Sequence, residues 1–161
     1  MSLNNPATTP KNAHVFQKRS VMKTTMERMM AFHQDPKALS NLTPPPIFMQ
    51  LHRDDRTSLT EGELEFTLRF VVIPIRWIAQ HQPGPTPTSF ADFQVKGPLA
   101  YWRHEHIFEE VPGGVALTDR VTLAHKPGLA GVLTWLAFDG IPLRILFFYR
   151  HLRTRLAVER K

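Results

Sequence analysis

The chain has 161 residues, a formal net charge of +6 and no cysteine. Its length suits one domain, and 42% hydrophobic with 21% charged residues is typical of a soluble globular protein rather than a disordered or collagen-like chain. The absence of cysteine excludes disulfide frameworks, thiolate nucleophiles, iron–sulfur clusters and cysteine–zinc sites. The positive charge is concentrated in residues 1–35 and 141–161, and the segment between them is slightly acidic.

Residues 1–12 are polar and contain two prolines, with no apolar run of the signal-peptide type. We therefore expect a disordered or extended segment over residues 1–12, one domain over residues 13–161, and a cytoplasmic location.

The first elements are predicted to be a strand and two short helices. The strand covers residues 13–22, and the spacing of Thr24 and Glu27 is that of a capping box opening a helix. A second short helix is predicted over residues 35–42, ended by the prolines at 44–46. Residues at helical spacing form one apolar face of the first helix: Met26, Met29, Met30 and His33.

The middle of the chain alternates between polar and apolar residues, which predicts a meander of antiparallel strands. The predicted strands are residues 47–54, 63–70, 75–81, 89–95, 101–110 and 115–124. From Pro127 onward the pattern is helical, and Gly140 with Pro142 predicts a kink or a split in that helix. The layout is α+β, with a curved antiparallel sheet of about seven strands around a long C-terminal helix, and it predicts a cavity between sheet and helix.

The strand over residues 101–110 carries the most informative pattern. Two histidines and two aromatic residues share one of its faces, namely Trp102, His104, His106 and Phe108, while charged residues mark the other face as solvent-facing. The next strand has one carboxylate, Asp119, on its apolar face. The hairpin turn allows Asp119 to lie opposite Phe108 or opposite His106, and both registers place it on the histidine face. We hypothesise a contact between His106 and Asp119.

Three interpretations of His104, His106 and Asp119 stay open. A metal site needs about three protein ligands, and the two histidines supply only two with one possible carboxylate, so we expect no metal and no cofactor. Acid–base catalysis suits His106 oriented by Asp119, although no nucleophile or cofactor motif accompanies the pair. A buried polar network that satisfies itself and one polar atom of a ligand is the simplest interpretation.

Two further segments bear on partners. The methionine-rich face is typical of core packing and also suits a lid over an apolar ligand. The basic run near the end is typical of a solvated helix face, and no nucleic-acid-binding motif accompanies it: Arg144, Arg150, Arg153, Arg155, Arg160 and Lys161. Residues 129–149 are long enough to span a membrane, but Asp139, Arg144 and Pro142 favour a buried or interfacial helix. Contact with an anionic membrane surface stays open.

Eight short matches run in order along residues 13–156: Leu42-Thr43-Pro44-Pro45; Ile73-Pro74-Ile75-Arg76-Trp77; Phe90, Asp92 and Gln94; Gly97-Pro98; Trp102, His104, His106 and Phe108; Asp119; Pro127-Gly128; and Phe147-Phe148-Tyr149-Arg150. On these residues the chain resembles the START-like helix-grip superfamily, also called SRPBCC, and within it ligand-binding proteins related to polyketide cyclase/dehydrase and lipid-transport domains. The resemblance implies seven antiparallel strands around a long C-terminal helix. The chain departs from the pattern at Leu123, where a tyrosine is expected, and at Gly140 with Pro142, which interrupt the long helix.

We therefore expect binding of a hydrophobic or amphipathic small molecule, such as a lipid, an isoprenoid or a polyketide-like compound. The expected ligand-binding residues are Met26, Met30, Trp77, Trp102, His104, His106, Phe108, Asp119, Leu146 and Arg150. The alternatives are a cyclase or dehydrase using His106 and Asp119, and a peripheral membrane or interaction protein using the basic terminal helix. The pattern indicates no oligomeric state.

Overall fold

The computed structural model describes residues 8–160, so residues 1–7 of the predicted N-terminal segment lie outside the described part. Seven strands form one antiparallel sheet in the order β1-β7-β6-β5-β4-β3-β2. The strands are β1 (His14–Met22), β2 (Ile47–Asp54), β3 (Gly62–Phe70), β4 (Ile73–Pro83), β5 (Ser89–Lys96), β6 (Tyr101–Val111) and β7 (Gly114–Ala124). The helices are α1 (Met26–Gln34), α2 (Ala38–Asn41), α3 (Leu129–Phe138) and α4 (Gly140–Val158). The predicted α+β helix-grip layout is confirmed.

The long β6–β7 hairpin sets the register of the polar residues. Its turn is tight because Val111 pairs with Gly114, and Gly113 and Gly114 adopt φ values of +90° and +148°, which favour glycine. In this register His106 lies opposite Asp119, which is the second of the two placements that the sequence allows. β6 thus presents its histidines to the concave face of the sheet.

The charged residues on the other face of β6 predict that this face is exposed to solvent. In the structure, this face is partly buried. Tyr101 is only 3% exposed because its ring packs against Phe93 at a ring-centre distance of 5.4 Å. Glu105 is 8% exposed because the guanidinium groups of Arg103 and Arg120 lie over its carboxylate. Salt bridges and one aromatic contact cover this part of the convex face.

The start of α1 differs by one residue from the predicted capping box. Thr25 is the N-cap residue, and its hydroxyl accepts a hydrogen bond from the backbone N–H of Arg28. Thr24 instead donates its hydroxyl to the carbonyl oxygen of Val158 at 3.0 Å. The bond from Thr24 fastens the beginning of α1 to the end of α4.

The terminal helix is split, as Gly140 and Pro142 predict. Asp139 has an extended backbone between α3 and α4, and Gly140 has a φ of +56°. The Asp139 carboxylate accepts a hydrogen bond from the Gly140 N–H at 2.7 Å, which caps α4. The face of α4 that packs on the concave side of the sheet is formed by Leu143, Phe147, His151, Thr154 and Val158.

Candidate functional site

A cavity of about 410 Å³ lies between the concave face of the sheet, α2 and the junction of α3 with α4. Most of its wall is apolar, with side chains from β3, β4, β6, α3 and α4: Leu64, Phe66, Leu68, Phe70, Trp77, Ala79, Trp102, Phe138, Leu143 and Leu146. The most exposed wall residues, Pro45, Pro142 and Ile145, mark its opening. The cavity opens between the segment before β2 and the first turn of α4.

Four aromatic rings make the apolar wall rigid. Trp77 meets Trp102 edge to face at 5.6 Å between ring centres, and Phe66 stacks on Trp77 at 6.2 Å. Phe138 closes the group at 6.0 Å from Trp77. Phe66 and Trp77 share one face because they are directly opposite in the β3–β4 register.

The remaining part of the wall is polar and contains histidines, one carboxylate and two arginines. These residues are His33, Arg56, His81, Asp92, His104, His106 and Arg150. Asp92 and His104 are cross-strand partners on β5 and β6, and His106 follows two residues later on the same face. The sheet geometry therefore brings Asp92, His104 and His106 together.

Behind this wall, Asp119 connects β7 to β6 and α4. Its Oδ1 accepts a hydrogen bond from His104 Nε2 at 2.7 Å, and its Oδ2 accepts one from His151 Nε2 at 2.8 Å. The other ring nitrogen of His151, Nδ1, lies 2.7 Å from the hydroxyl oxygen of Ser20. Asp119 is 3% exposed, so these bonds replace the water that its carboxylate loses on folding.

The hypothesised contact between His106 and Asp119 is present as a close approach rather than as a hydrogen bond. His106 Nδ1 lies 3.2 Å from Asp119 Oδ1, yet this buried nitrogen has no hydrogen-bond partner among the described residues. His106 Nε2 instead donates to Asp92 Oδ2 at 3.2 Å, and the same oxygen lies 3.3 Å from His104 Nδ1. The carboxylate that accepts a hydrogen bond from His106 is thus Asp92, and both side chains lie on the cavity wall.

The protonation of this cluster follows from its charges. Burial lowers the pKa of His104, but the negative charges of Asp119 and Asp92 outweigh burial and hold that pKa above its ordinary value. Burial raises the pKa values of Asp92 and Asp119, but the charge of His104 and the histidine hydrogen bonds hold both well below the usual range. The two carboxylates on either side of the His104 ring therefore favour its protonated form.

Two other histidines on the wall are held neutral. Burial, followed by the positive charge of His106, lowers the pKa of His33 to about 3. Its ring donates from Nδ1 to the carbonyl oxygen of Met29 at 2.8 Å and meets Phe108 edge to face at 5.0 Å. Burial is also the main cause that lowers the pKa of His81, which donates from Nδ1 to the carbonyl oxygen of Leu59.

The structure places part of the expected set on the cavity wall: Trp77, Trp102, His104, His106, Leu146 and Arg150. Met26 and Met30 lie away from the wall, where they pack against the core cluster around Met29. Phe108 belongs to the same cluster, and Asp119 lies behind His104 rather than at the cavity surface.

Residues that the sequence reasoning did not select complete the polar wall and its support. Asp92 lies two residues after Phe90, so the alternation along a strand places both on the same face. That spacing indicates that the Asp92 carboxylate points toward the cavity. His151 follows Phe147 by four residues and lies on the buried helical face. His81 ends the predicted strand of residues 75–81, whereas Arg56 comes from a loop and carries no periodic signal.

Solved structures share this fold. Protein CV1439 from Chromobacterium violaceum is similar with a TM-score of 0.68 at 12% identity, covering 91% of this chain and 98% of that one. TTHA0849 from Thermus thermophilus is similar with a TM-score of 0.62 at 13% identity, covering 89% and 99%. Ara h 8.0201, a Bet v 1-like protein, is similar with a TM-score of 0.60 at 12% identity, covering 91% and 95%.

These likenesses establish a Bet v 1-like helix-grip fold, and at this identity they establish the fold alone. No protein-family model matches the chain. No curated protein matches it either. The helix-grip fold that the resemblance implies is therefore confirmed.

Proposed function

We propose that this protein binds a hydrophobic or amphipathic small molecule, such as a lipid, an isoprenoid or a polyketide-like compound, in its internal cavity. The observation that carries the proposal is a cavity of about 410 Å³ whose aromatic and aliphatic wall is interrupted by one polar region. Ligand sites have this composition because apolar area supplies most of the affinity and a few polar groups orient the ligand.

The charges of the polar region favour a ligand with an acidic or carbonyl head group. Arg56 is paired with Asp54 at 2.6 Å, so its charge is already balanced. Arg150 has no carboxylate within salt-bridge distance among the described residues, and its guanidinium lies over the ring of Phe147 at 5.6 Å. Arg150 is thus the cation on the wall that is free to bind a ligand oxygen.

Displacement of a fluorescent fatty acid from the purified protein tests this proposal. Arg150→Gln is expected to weaken fatty-acid binding by roughly 10- to 100-fold, since a hydrogen bond to a charged group contributes about 1.5–3 kcal/mol. The matched control is Arg153→Gln, because Arg153 is an exposed arginine on the same helix and is expected to leave affinity unchanged. Ala79→Phe extends a ring from the cavity wall into the empty volume and is expected to reduce binding of every ligand.

Native mass spectrometry of the protein as purified gives a second, independent result. A bound lipid, isoprenoid or polyketide would support the proposal and name the ligand class. The proposal would be refuted if fatty acids, isoprenoids and polyketides all failed to bind the unaltered protein and Ala79→Phe behaved no differently from it.

A second candidate function, docking on an anionic membrane surface, is favoured by the exposed surface of α3 and α4. The stretch Leu129–Val158 is by length and composition apolar enough to cross a membrane, and only 22% of its most apolar 18-residue segment is buried. On α4 one exposed stripe has spacings of four, three, four and four residues: Ile141, Ile145, Phe148, Leu152 and Leu156. Arg144 and Arg155 flank this stripe on one side and Arg153 on the other.

The apolar surface continues around the cavity opening. Ile145 and Pro142 line the cavity at its opening, and Ile141 precedes Pro142 in the chain. Val71 and Val72, at the tip of the β3–β4 hairpin, directly follow the wall residue Phe70 and are 72% and 82% exposed. An apolar stripe bordered by arginines is the composition of helices that lie in the interface of anionic bilayers. We propose that such a bilayer covers this apolar surface, so that the ligand enters the cavity from the lipid phase.

Vesicle co-sedimentation tests the membrane candidate. Binding to vesicles containing phosphatidylglycerol is expected to exceed binding to phosphatidylcholine vesicles and to weaken as salt rises. Phe148→Ser is expected to reduce binding, and Val15→Ser is the matched control because Val15 is 59% exposed on the convex side of β1. Equal binding by Phe148→Ser and the unaltered protein would remove this candidate while leaving the cavity proposal intact.

A further inference from the structure

We propose that Asp92, His104 and His106 bind a divalent transition-metal ion, such as Zn²⁺ or Fe²⁺, at the polar part of the cavity wall. This site goes beyond the proposed function, because it binds the ion in the absence of any organic ligand. Two histidines and one carboxylate are the donor set of catalytic zinc sites and of non-haem iron sites.

The distances fit one ion. Asp92 Oδ2 lies 3.3 Å from His104 Nδ1 and 3.2 Å from His106 Nε2, and one ligand atom from each residue lies within 4.8 Å of the others. Ligand atoms bound to a tetrahedral ion at about 2.1 Å are roughly 3.4 Å apart. The two distances from Asp92 therefore already match the spacing that a shared ion imposes, and the histidine nitrogens lie within 4.8 Å of each other.

The backbone holds the three residues in place. Asp92 pairs directly with His104 across β5 and β6, and His106 is two residues further on the same face of β6. His104 and His106 are 1% and 6% exposed, and their rings are 3.8 Å apart between centres. Ligands on paired strands are held more firmly than ligands on loops.

The surroundings of His104 are those of a metal ligand. Its Nε2 is bonded to the Asp119 carboxylate at 2.7 Å, which leaves Nδ1 pointing at Asp92. A ligating histidine almost always donates its other ring N–H to a carboxylate, carbonyl or water, because that bond fixes the ring and strengthens the donor nitrogen. Asp119 is in turn fixed by His151, so the support of the site extends to α4.

Charge favours the same ion. Asp92 and Asp119 place two carboxylates within hydrogen-bond distance of His104. A divalent cation between Asp92 and the two imidazoles would neutralise this buried charge.

The coordination positions that stay open face the ligand volume, since Asp92, His104 and His106 all lie on the cavity wall. A carbonyl, hydroxyl or carboxylate oxygen of a bound molecule would complete the coordination there. The proposed site therefore selects for oxygen-bearing ligands.

Calorimetric titration of chelator-treated protein with Zn²⁺ at neutral pH tests the site. We expect one ion per chain, and we expect Asp92→Asn and His106→Gln each to lose more affinity than Asp119→Asn, for which a loss of about 10- to 100-fold is typical of an outer partner. The matched control is His14→Ala, which removes one of the two histidines around Asp139 at the protein surface. It is expected to leave the tight site unchanged.

A second measurement on the unaltered protein makes the test independent of how the variants fold. Addition of Co²⁺ is expected to shift and broaden the NMR signals of the His104 and His106 rings before those of His14 and His125. Absence of Zn²⁺ binding by the unaltered protein would overturn the proposal. Binding that disappears in His14→Ala and persists in Asp92→Asn would overturn it as well. Neither result depends on fatty-acid displacement, so failure of the metal site and failure of the ligand proposal are distinguishable.

Discussion

His33 makes the stability of this protein depend on pH as the pH falls below 6.5. The His33 ring is buried among Phe32, Phe90 and Phe108, and burial is the main cause that lowers its pKa from 6.5 to about 3. The folded protein therefore holds this ring neutral, while the unfolded chain binds a proton near pH 6.5. The stabilisation is present above pH 6.5 and is lost as pH falls, because the unfolded state then gains a proton that the folded state excludes.

The magnitude follows from the linkage between proton binding and folding. One proton bound only by the unfolded state changes the free energy of unfolding by about 1.36 kcal/mol per pH unit. Lowering the pH from above 7 to 4.5 should therefore remove about 3 kcal/mol through His33. The low pKa values of Asp92 and Asp119 reduce stability only at lower pH, because these carboxyl groups titrate near pH 3.8 in the unfolded chain. His104 acts in the opposite sense, since its raised pKa makes its contribution decline above pH 6.5.

Urea unfolding of the unaltered protein and of His33→Leu, followed by circular dichroism at a series of pH values with chelator present, measures this contribution. His81 titrates in the same direction, so the difference between the two proteins, rather than either curve alone, isolates His33. We expect the difference to be flat above pH 7 and to move by about 3 kcal/mol in favour of His33→Leu by pH 4.5. A difference that stays constant over this range would show that the ring is protonated in the folded state and would refute the reasoning.

Three further predictions concern stability. Val71→Gly should raise the free energy of unfolding by about 0.5–1 kcal/mol, because a left-handed φ of 58° disfavours valine by about 1–2 kcal/mol and glycine loses part of that gain as backbone entropy. The same change should weaken vesicle binding. Chemical denaturation measures the first effect and co-sedimentation measures the second. Asp119→Asn should lower stability by about 3 kcal/mol at neutral pH, since it places an amide N–H against a histidine N–H, and equal urea midpoints would contradict this. Asp139→Ala should lower the thermal midpoint through loss of a helix cap of about 0.5–2 kcal/mol and of the bonds from His14 and His125, as calorimetry would detect.

The sequence predicted the fold well where one face of each element is buried. Alternation of polar and apolar residues marks the strands, and Gly140 with Pro142 marks the break between α3 and α4, because both signals are local. The histidine face of β6 and the inward position of Asp119 followed from the same period of two. The placement of Asp119 opposite His106 depended on a two-residue turn, which the pattern alone left undecided between two lengths.

The candidate site was less predictable because it depends on contacts between elements distant in the chain. Asp92 joins His104 and His106 only through the β5–β6 pairing. His151 reaches Asp119 across 32 residues, and no local pattern specifies that distance. Met26 and Met30 were selected for a flexible apolar character that equally suits core packing, and their position against Met29 shows that packing decides their place.

Asp119 links the stability of the fold to the chemistry of the site. It holds His151 of the grip helix through one oxygen and His104 of the cavity wall through the other. A simpler fold could fasten α4 with apolar contacts alone, since replacing a buried ionic group by hydrophobic residues is often neutral or stabilising. The carboxylate instead fixes which nitrogen of His104 faces the cavity, because Nε2 is engaged and Nδ1 is left toward Asp92. Asp119 thus orients His104 from behind the wall while Asp92 and His106 face whatever the cavity binds.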